Sequence, residues 1–537
     1  MYKKVNIFSF CLILLVAFFL RFYQINNIPP SLNWDEVSIG YNAYSILKTG
    51  RDEWGQFLPL SFRAFGDYKL PLYIYLDAPF VALLGLTEAA VRLPSVLSGM
   101  GVVVLVFLIL KELTKSFYLS LWGMFISATL PWLVVFSRIA LEANLALFLT
   151  TASFYLLLLA RRKKILLFFS AVLLGLSIFS YNSSRVLVIL FLLLGIVFYR
   201  NFKKKEILLP LVIIIIFILI AFFQAVTVDS GARYKWTTIL DEGAITRINQ
   251  LRGLSGLPSL LNQLIHNKAT YFITEASKNY IYHFDPYFLF INGGSNFQFS
   301  IPGSGQIYLS LLPLIVLGIW KMMCERKGWQ LFILGWLLIS PIPGAITRDA
   351  PHSLRAIFMT VPLVLIAVMG IKRIQDSISG KIFILLTILM VLLLSISAFV
   401  FWQNYGNDYQ KNYSWSWQYG YKQVMEFVHT NGNNYDRIIF TKRYGEPHEF
   451  LLFYLQYDPL KYQTNETLIR YERSDWFWVD RFDKFEFIND WEIKDKVLGA
   501  NNTLLITSPG NYPIGSQVLE TIKFLDGKAA FDIAAVN

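Results

Sequence analysis

Two adjacent carboxylates follow the first apolar run of the chain. Asp35 and Glu36 stand directly after Trp34, and Tyr41 lies shortly beyond them. Carboxylates beside aromatic rings lose solvation, and this cost suggests that the acids have a function. A carboxylate within hydrogen-bond reach of a hydroxyl can act as a general base. The alternative is structural, because Asp35 would also cap a helix that begins near Glu36. The residues alone leave both interpretations open.

A third acid and two cations lie near predicted helix ends. Lys69 precedes Pro71, a residue suited to the first turn of a helix. At the level of lipid headgroups Lys69 could hold a phosphate, or it could simply snorkel to the interface. Arg138 and Glu142 are four residues apart, so in a helix they would share one face. Such a pair either forms an intrahelical ion pair or faces a cavity or partner.

Further polar turns between later apolar runs carry basic residues. We predict an electropositive pocket formed by Arg348, His352 and Arg355 together with Lys69. The planar guanidinium group of arginine can bind two phosphate oxygens at once. Other candidates are Asp67, in the same first loop as Lys69, and Arg185 and His283, in later turns. Asp67 and His283 could share a divalent cation, but a hydrogen-bonded pair without metal is favoured. The sequence has no common metal, serine-hydrolase or nucleotide-loop motif, and no cofactor is otherwise predicted.

The composition places most of the chain in a membrane. Only 16% of the 537 residues are charged and 55% are hydrophobic, whereas soluble domains carry roughly 25% charge. The net charge is 48 − 36 = +12, but a basic balance alone is weak evidence for nucleic-acid binding, which we do not predict. The two cysteines, Cys11 and Cys324, exclude a disulfide scaffold.

Long apolar runs predict a polytopic helical bundle with about eleven crossings. The runs lie near 6–22, 92–110, 117–136, 140–160, 165–180, 186–199, 207–224, 306–320, 329–346, 355–371 and 381–402. Clusters of Lys and Arg follow every second run, which predicts a cytoplasmic N-terminus by the positive-inside rule. This alternation requires the amphipathic stretch 70–86 to lie in the outer interface without crossing.

The predicted topology assigns the large polar segments to the outer face. We predict a membrane catalytic domain over 1–402, with outer loops 23–91 and 225–305, and an extracytoplasmic domain over 403–537. The tail is expected to be a small α/β domain. Its helix-like segment is 417–429, and its strand-like segments are 437–441 and 503–507. The fold class is therefore mainly α, with interfacial helices and a C-terminal α/β domain.

The order of these motifs resembles a known family. The Trp34-Asp35-Glu36 segment, the step from Lys69 to Leu72, the run from Arg92 to Ser95, and Arg138 with Glu142 look like bacterial membrane glycosyltransferases of family 39. These are relatives of protein O-mannosyltransferases and of lipid A aminoarabinose transferases in the GT-C superfamily. The resemblance covers the membrane part, whereas the tail has none that can be named. Leu70 replaces a frequent proline, and Glu142 stands where Asp is frequent.

The resemblance implies a function. A sugar would move from a polyprenyl-phosphate donor to a protein, lipid or glycan acceptor at the outer face of a bacterial plasma membrane, with inversion. Asp35 resembles the catalytic base, with Glu36 and Glu142 as further catalytic candidates. Trp34 and Tyr41 would line the sugar or the prenyl chain. Two alternatives remain, a transporter or flippase of an anionic lipid-linked sugar and a non-enzymatic receptor, although no repeated halves support transport.

Overall fold

The computed structural model describes residues 2–66, 68–198, 204–227, 237–474, 476–497 and 501–536. The chain divides into two compact units. The helical unit comprises Met1–Arg21, Leu97–Ser137 and Glu142–Trp402. The loop–tail unit comprises Phe22–Val96, Arg138–Leu141 and Gln403–Asn537. The predicted boundary near residue 403 coincides with a division of the chain. The first loop, however, groups with the tail instead of with the membrane helices.

Helices dominate the first 403 residues. Their bounds are Tyr2–Phe22, Trp34–Thr49, Pro71–Leu84, Glu88–Thr114, Phe117–Thr129, Pro131–Ser137, Glu142–Leu159, Ile165–Ile178, Asn182–Phe198, Lys204–Thr227, Glu242–Leu254, Ser259–Ile265, Lys268–Tyr282, Leu312–Glu325, Gly328–Ile339, Ile342–Ala345, Thr360–Ser377 and Gly380–Gln403. Short π or 3-10 turns occupy Tyr287–Asn292, Leu309–Leu311 and Ile357–Met359. Within the described residues, each apolar run identified in the sequence lies largely in one or more of these helices.

Six helices in the described residues are long and apolar enough to cross a membrane, or seven if one bent pair is a single span. The bend of 57° separates Phe117–Thr129 from Pro131–Ser137. Leu130, before the proline, has extended dihedrals (φ −57°, ψ 126°), as a residue preceding proline prefers. Four shorter apolar helices accompany these spans. The predicted integral membrane protein with several apolar helices is therefore confirmed, while the count of about eleven crossings stays a prediction.

Two glycines allow close helix packing in the helical unit. A Cβ at Gly318 would overlap the carbonyl oxygen of Ile366, and one at Gly370 would overlap that of Leu314. The helices Leu312–Glu325 and Thr360–Ser377 therefore touch backbone to backbone. Small residues at helix contacts replace the hydrophobic driving force that is missing inside a bilayer.

Arg138 and Glu142 do not share a helix, because one helix ends at Ser137 and the next begins at Glu142. The expectation of a common helical face is wrong. Leu130 and Pro131 interrupt the span before the short helix Pro131–Ser137, and the chain then turns before Glu142. Apolar periodicity alone does not reveal this turn, since its residues are themselves largely apolar.

The loop–tail unit combines a small hairpin with a mixed sheet. The hairpin strands are β1 (Phe62–Arg63) and β2 (Tyr68–Lys69). The tail strands are β3 (Arg437–Thr441), β4 (Ile469–Arg473), β5 (Trp476–Phe482), β6 (Phe485–Ile488), β7 (Thr503–Thr507), β8 (Gln517–Lys523) and β9 (Ala529–Val536). The sheet order is β4-β5-β6-β3-β7-β9-β8, with β3 parallel to β6 and β7. The predicted strands 437–441 and 503–507 are confirmed.

Helices cover this sheet. They are Tyr409–Tyr413, Tyr421–Asn431, Pro447–Tyr454, Pro459–Gln463 and Ile493–Val497, with π or 3-10 turns at Asn404–Asp408, Ser414–Trp417, Gly432–Asn434 and Asp490–Glu492. The central β3 and β7 are apolar on both faces, as expected for parallel strands buried on both sides. The predicted helix over 417–429 begins later, at Tyr421.

The first loop packs directly on the tail within this unit. A Cβ at Gly40 would crowd the rings of Phe453, and the hydroxyl of Tyr41 donates to the carbonyl of Tyr457 at 3.1 Å. Gln463 donates to the hydroxyl of Ser45 at 3.0 Å. The helix Trp34–Thr49 is thus held by tail residues on one flank, and the tail positions the acidic motif that begins this helix.

Candidate active site

Asn33, and not Asp35, caps the helix that carries the acidic pair. The side chain of Asn33 accepts from the backbone N–H of Glu36 at 2.9 Å, and Glu36 accepts in return from the N–H of Asn33 at 3.2 Å. This reciprocal pair is a capping box. The interpretation of Asp35 as the cap is therefore wrong, because the helix begins two residues earlier than expected, at Trp34.

Glu36 is fully buried and satisfied by four N–H donors. Its Oε1 accepts from Arg92 Nε and from the N–H of Ala140, both at 2.9 Å. Its Oε2 accepts from Asn33 N and from Arg92 Nη2 at 3.1 Å. A buried carboxylate needs such pairing, and here every bond comes from an N–H. The arrangement marks Glu36 as a structural centre.

Arg92 uses its whole guanidinium in the same centre. Beyond Glu36, it donates to the carbonyls of Ile25 at 2.7 Å, Pro29 at 3.3 Å and Ser31 at 2.7 Å. Together with its two bonds to Glu36, these account for the five N–H groups of an arginine. Arg92 therefore ties the polar segment that follows the first helix to the acidic helix.

Arg138 plays a similar structural part. It is fully buried and donates to the carbonyls of Ile28 at 2.8 Å and Tyr23 at 2.6 Å. The neighbouring Ala140 reaches Glu36 through its backbone N–H. This engagement leaves the predicted substrate-binding role of Arg138 unsupported, because a buried guanidinium offers no surface to a phosphate.

Asp35 differs from its neighbour in accessibility. Its side chain is 42% exposed, while its partner Lys69, which donates to Asp35 Oδ1, is only 6% exposed. Lys69 ends the hairpin strand β2, and its ammonium lies 5.2 Å from the ring centroid of Phe65. The next helix begins at Pro71, as predicted. A fixed cation thus orients an accessible carboxylate.

An aromatic cluster borders Asp35. The ring of Trp34 lies 5.4 Å from Phe65 and 6.3 Å from Trp476, and Phe65 lies 5.6 Å from Trp476. Gly66 has no Cβ, and one there would overlap Trp476. The N–H of Phe477 donates to the carbonyl of Phe65 at 2.6 Å, which fixes the β1–β2 hairpin to β5.

The tail also holds Trp34 itself. Gln418 accepts from the N–H of Trp34 and donates to the carbonyl of Tyr444, both at 3.0 Å. Gly445 adopts φ +87°, and a Cβ there would overlap the Trp34 ring. Trp34 is partly exposed, and its predicted place beside a substrate stays a prediction. Tyr41 is fully buried and packs against the tail.

Buried carboxyls surround the aromatic cluster. The indole N–H of Trp476 donates to Glu446 at 2.7 Å, and burial raises the pKa of Glu446 to about 7. Burial, reinforced by Asp52, raises the pKa of Glu53 to about 8. Burial and the neighbouring Glu53 raise the pKa of Glu449. These acids hold protons where an exposed carboxyl would not.

The helical unit assembles the predicted basic turns. Asn279 donates to the carbonyls of Ala345 at 3.2 Å and Thr347 at 2.8 Å, which anchors one turn on the helix Lys268–Tyr282. Arg355 donates to the hydroxyl of Thr347 at 2.8 Å. The Nε2 of His283 accepts from the N–H of His352 at 3.2 Å. His283 therefore contacts the turn that carries His352, and Arg355 is bonded within the same turn. The predicted pocket of Arg348, His352 and Arg355 with Lys69 stays a prediction.

His283 is a neutral, fully buried imidazole. Its Nδ1 lies 2.7 Å from the carbonyl of Asn279, so Nδ1 carries the proton and Nε2 accepts. Burial lowers the pKa of His283 to about 4, and Arg355 adds to this effect. Both ring nitrogens are occupied, which argues against a metal ligand. Asp67, its proposed partner, lies outside the described residues, among which no metal-holding group of His, Cys, Asp or Glu occurs.

Three further candidates have different surroundings. Arg348 is half-exposed, with Nη1 at 3.8 Å from Asp241, and its N–H donates to the carbonyl of Thr237 at 3.0 Å. Arg185 donates to the side chain of Gln224 at 2.8 Å. Glu142 stands in the first turn of its helix, where the helix dipole favours a carboxylate. Structural explanations therefore exist for Arg185 and Glu142.

Sequence reasoning missed several residues that support Asp35. Arg92 belongs to the family pattern but is not among the predicted site residues, although a charge at the start of an apolar run is a readable signal. Gln418, Glu446 and Trp476 carried none, because the tail shows no motif. Gln418 bonds to Trp34, 384 positions away, and Trp476 bonds to Glu446, 30 positions away.

Comparisons with known proteins agree with this architecture. A family model for dolichyl-phosphate-mannose-protein mannosyltransferase matches residues 11–233. The solved structure of ArnT from Cupriavidus metallidurans bound to undecaprenyl phosphate is similar over 99% of this chain and 98% of that one, with a TM-score of 0.57 and 11% identity. The fold is that of the GT-C glycosyltransferases.

The GT-C fold also relates the chain to a larger enzyme. The archaeal oligosaccharyltransferase AglB from Archaeoglobus fulgidus, solved with an inhibitory peptide and a dolichol-phosphate, has a TM-score of 0.52 at 11% identity. The alignment covers 84% of this chain but 64% of AglB. No curated protein matches the chain by sequence. The predicted helical GT-C fold of an integral membrane protein is confirmed by the structural likeness and the apolar helices, and the family match agrees with it.

Proposed function

We propose that this protein transfers a sugar from a polyprenyl-phosphate donor to an acceptor at the outer face of a bacterial plasma membrane, with Asp35 as the base. The observation that carries the assignment is the contrast within one motif. The carboxylate of Glu36 is buried and fully hydrogen-bonded, whereas that of Asp35 is accessible and held by Lys69. The match to the mannosyltransferase family and the GT-C fold support the enzyme class and the donor class.

The chemistry of transfer assigns Asp35 a clear task. An acceptor hydroxyl is a poor nucleophile, so a carboxylate must take its proton as oxygen attacks the anomeric carbon. The bond between that carbon and the phosphate oxygen breaks on the opposite face, which inverts the centre. The electron pair leaves with the polyprenyl phosphate. Lys69 fixes the carboxylate by its bond to Oδ1.

The leaving phosphate needs positive charge and no protonated acid. Arg348 and Arg355 are the guanidinium groups that the sequence predicts for this role, and within the helical unit both retain solvent contact. Guanidinium donors can bind phosphate oxygens in pairs and stabilise the charge that develops there. This differs from glycoside hydrolysis, where a second carboxyl protonates the leaving oxygen.

The orientation in the membrane follows from the charge distribution. Lys and Arg cluster after alternate apolar runs at 111–115, 161–164, 203–205, 321–327 and 372–373, which favours a cytoplasmic side for these turns. The N-terminus would then be cytoplasmic, and the tail would face outward together with the acidic motif of the same loop–tail unit.

The test is a donor-consumption assay on protein reconstituted in vesicles. Polyprenyl-phosphate hexose, pentose and amino-sugar donors are supplied together with a cell-envelope extract as the source of the acceptor, and release of polyprenyl phosphate is measured. We expect Asp35→Asn to lower the rate by about 10²–10⁴-fold, because the amide accepts no proton. Asp495→Asn, at an exposed tail position, is the matched control and retains the rate. Undiminished turnover by Asp35→Asn would remove Asp35 as the base.

A further inference from the structure

A row of partly exposed aromatic residues leads from Asp35 across the tail. Trp34 adjoins Asp35, and its ring lies 6.3 Å from Trp476, which lies 6.1 Å from Trp478. Tyr471 stands directly opposite Trp478 in the β4–β5 pair and is 40% exposed. These four residues, Trp34, Trp476, Trp478 and Tyr471, are called the aromatic row.

The strand pattern explains why the aromatic row faces outward. Along β5, Phe477 and Val479 are buried, whereas Trp476 and Trp478 alternate with them and remain partly exposed. Successive side chains of a strand point to opposite faces, so the two tryptophans share one face. Trp476 and Trp478 are far larger and more apolar than the outer face of a sheet near its edge requires, and exposed apolar area of this kind marks binding surfaces.

Polar groups flank the aromatic row. Lys442 pairs with Asp480, and its ammonium lies 5.0 Å from the Trp478 ring centroid. The hydroxyl of Tyr471 donates to Asp480 at 3.4 Å. Arg473 stands opposite Trp476 on β4. The surface therefore alternates flat π faces with fixed hydrogen-bonding groups.

We propose that the aromatic row binds the acceptor and that this acceptor is a carbohydrate chain. Pyranose rings present C–H groups that stack on the negative face of an aromatic ring, while their hydroxyls need donors and acceptors at the ring edges. The row supplies the faces, and Asp480, Lys442 and Arg473 stand beside them. Its end at Trp34 delivers a sugar hydroxyl to Asp35. This inference rests on the proposed function, since it names the acceptor class for the same site.

A polypeptide acceptor would favour a different surface. An extended peptide binds by adding a strand to an exposed sheet edge, and β4 is an edge strand of the tail sheet. The aromatic row lies on the face of the sheet instead of along its edge, and it leads to the accessible carboxylate. The observations therefore favour a glycan over a peptide.

The test measures binding without donor, on full-length protein in lipid nanodiscs. Mannohexaose and cellohexaose are the carbohydrate probes, and a Ser/Thr-rich peptide is the competing probe. We expect a hexasaccharide Kd on the order of 1 mM or tighter, weakened about tenfold by Trp478→Ala. Trp491→Ala is the matched control, because Trp491 is a tail tryptophan that is 79% exposed and lies outside the aromatic row. Tyr471→Ala is the second variant if Trp478→Ala fails to fold.

Each outcome decides the proposal. Weakening by Trp478→Ala or Tyr471→Ala but not by Trp491→Ala supports it. Absence of hexasaccharide binding at about 10 mM, or equal weakening by variant and control, overturns it. Peptide binding without hexasaccharide binding overturns it in favour of a polypeptide acceptor. Donor consumption by the wild type is measured separately, so failure of the transferase assignment is distinguishable from failure of the glycan assignment.

Discussion

Asp35 and Glu36 are neighbours in the chain, but their surroundings in the loop–tail unit are opposite. Glu36 and Arg92 are both 0% exposed, and each oxygen of Glu36 accepts two N–H bonds. Asp35 is 42% exposed and is held by one lysine. The buried pair organises backbone from several segments, whereas the accessible pair leaves a carboxylate open to solvent. Adjacent acids therefore divide into one that builds the site and one that is available to react.

The difference follows from what each partner can reach. A guanidinium has five N–H groups in a fixed fork, so Arg92 joins a carboxylate and three carbonyls at once. An ammonium is a compact point charge, which positions Asp35 through one oxygen. The arginine therefore holds the structural carboxylate of Glu36, whereas the lysine positions the carboxylate of Asp35 and leaves it accessible.

The largest expected effect is on folding, from Glu36→Gln. Every bond to Glu36 comes from an N–H, so the amide NH₂ of glutamine must face two donors whichever way it turns. We expect a loss of about 3–5 kcal/mol in the free energy of unfolding, because buried donors remain unpaired. Thermal unfolding in detergent, followed by scattering and intrinsic fluorescence, measures it.

Asp35→Asn is the matched carboxylate-to-amide control for stability. Its amide oxygen can still accept from Lys69, and the site is solvated, so the change in stability should not exceed about 1 kcal/mol. Equal losses of stability in the two variants would contradict the division between a structural and an accessible acid.

A third kind of carboxyl extends the comparison. Glu53 is 4% exposed and is therefore buried, as Glu36 is. Among the described residues it forms no ion pair comparable to that between Glu36 and Arg92, and it neighbours two other acids, Asp52 and Glu449. Arg470 lies nearby and lowers the pKa, but burial outweighs this and raises the pKa of Glu53 from 4.5 to about 8. Four N–H donors stabilise the carboxylate of Glu36, whereas burial favours the protonated form of Glu53.

The sign of the resulting pH dependence is opposite to that of a salt-bridged acid. Between pH 4.5 and about 8 the folded chain holds a proton on Glu53 that the unfolded chain has lost. Stability should therefore fall as pH rises through this window. We expect the melting temperature of the wild type to fall more steeply from pH 5 to about 8 than that of Glu53→Gln. Glu466→Gln, at an exposed tail position, should follow the wild type, and parallel curves for all three proteins would refute the prediction.

The sequence was informative where composition is unusual. Charge is rare in the apolar part, so Asp35, Lys69, His283 and Arg355 stood out, and the structure gives each a polar neighbourhood. Helices and central tail strands were predictable because apolar runs and β-branched strands have local signals.

The division of roles was not predictable, because it depends on distant partners. Asn33 caps the helix, but Asn and Asp are equally good N-cap residues, so the sequence does not show which of Asn33 and Asp35 forms the cap. Tyr41 and Arg138 were predicted to contact substrate, but both are buried against residues whose positions only the fold determines. The same limit hid Trp476 and Gln418, which come from a tail without a motif.

The smallest expected effect comes from the ion pair between Lys422 and Glu88 in the loop–tail unit, in which nitrogen and oxygen are 2.7 Å apart. Lys422 is 40% exposed and Glu88 is 11% exposed. Lys422→Met should cost no more than about 1 kcal/mol, because solvent screens the pair and Glu88 retains the favourable N-terminus of its helix. The difference between variant and wild type should shrink at high salt, since screening removes what the pair contributes. Melting at low and high ionic strength measures this, and a salt-independent loss as large as that of Glu36→Gln would show that burial does not set the ranking of these ion pairs.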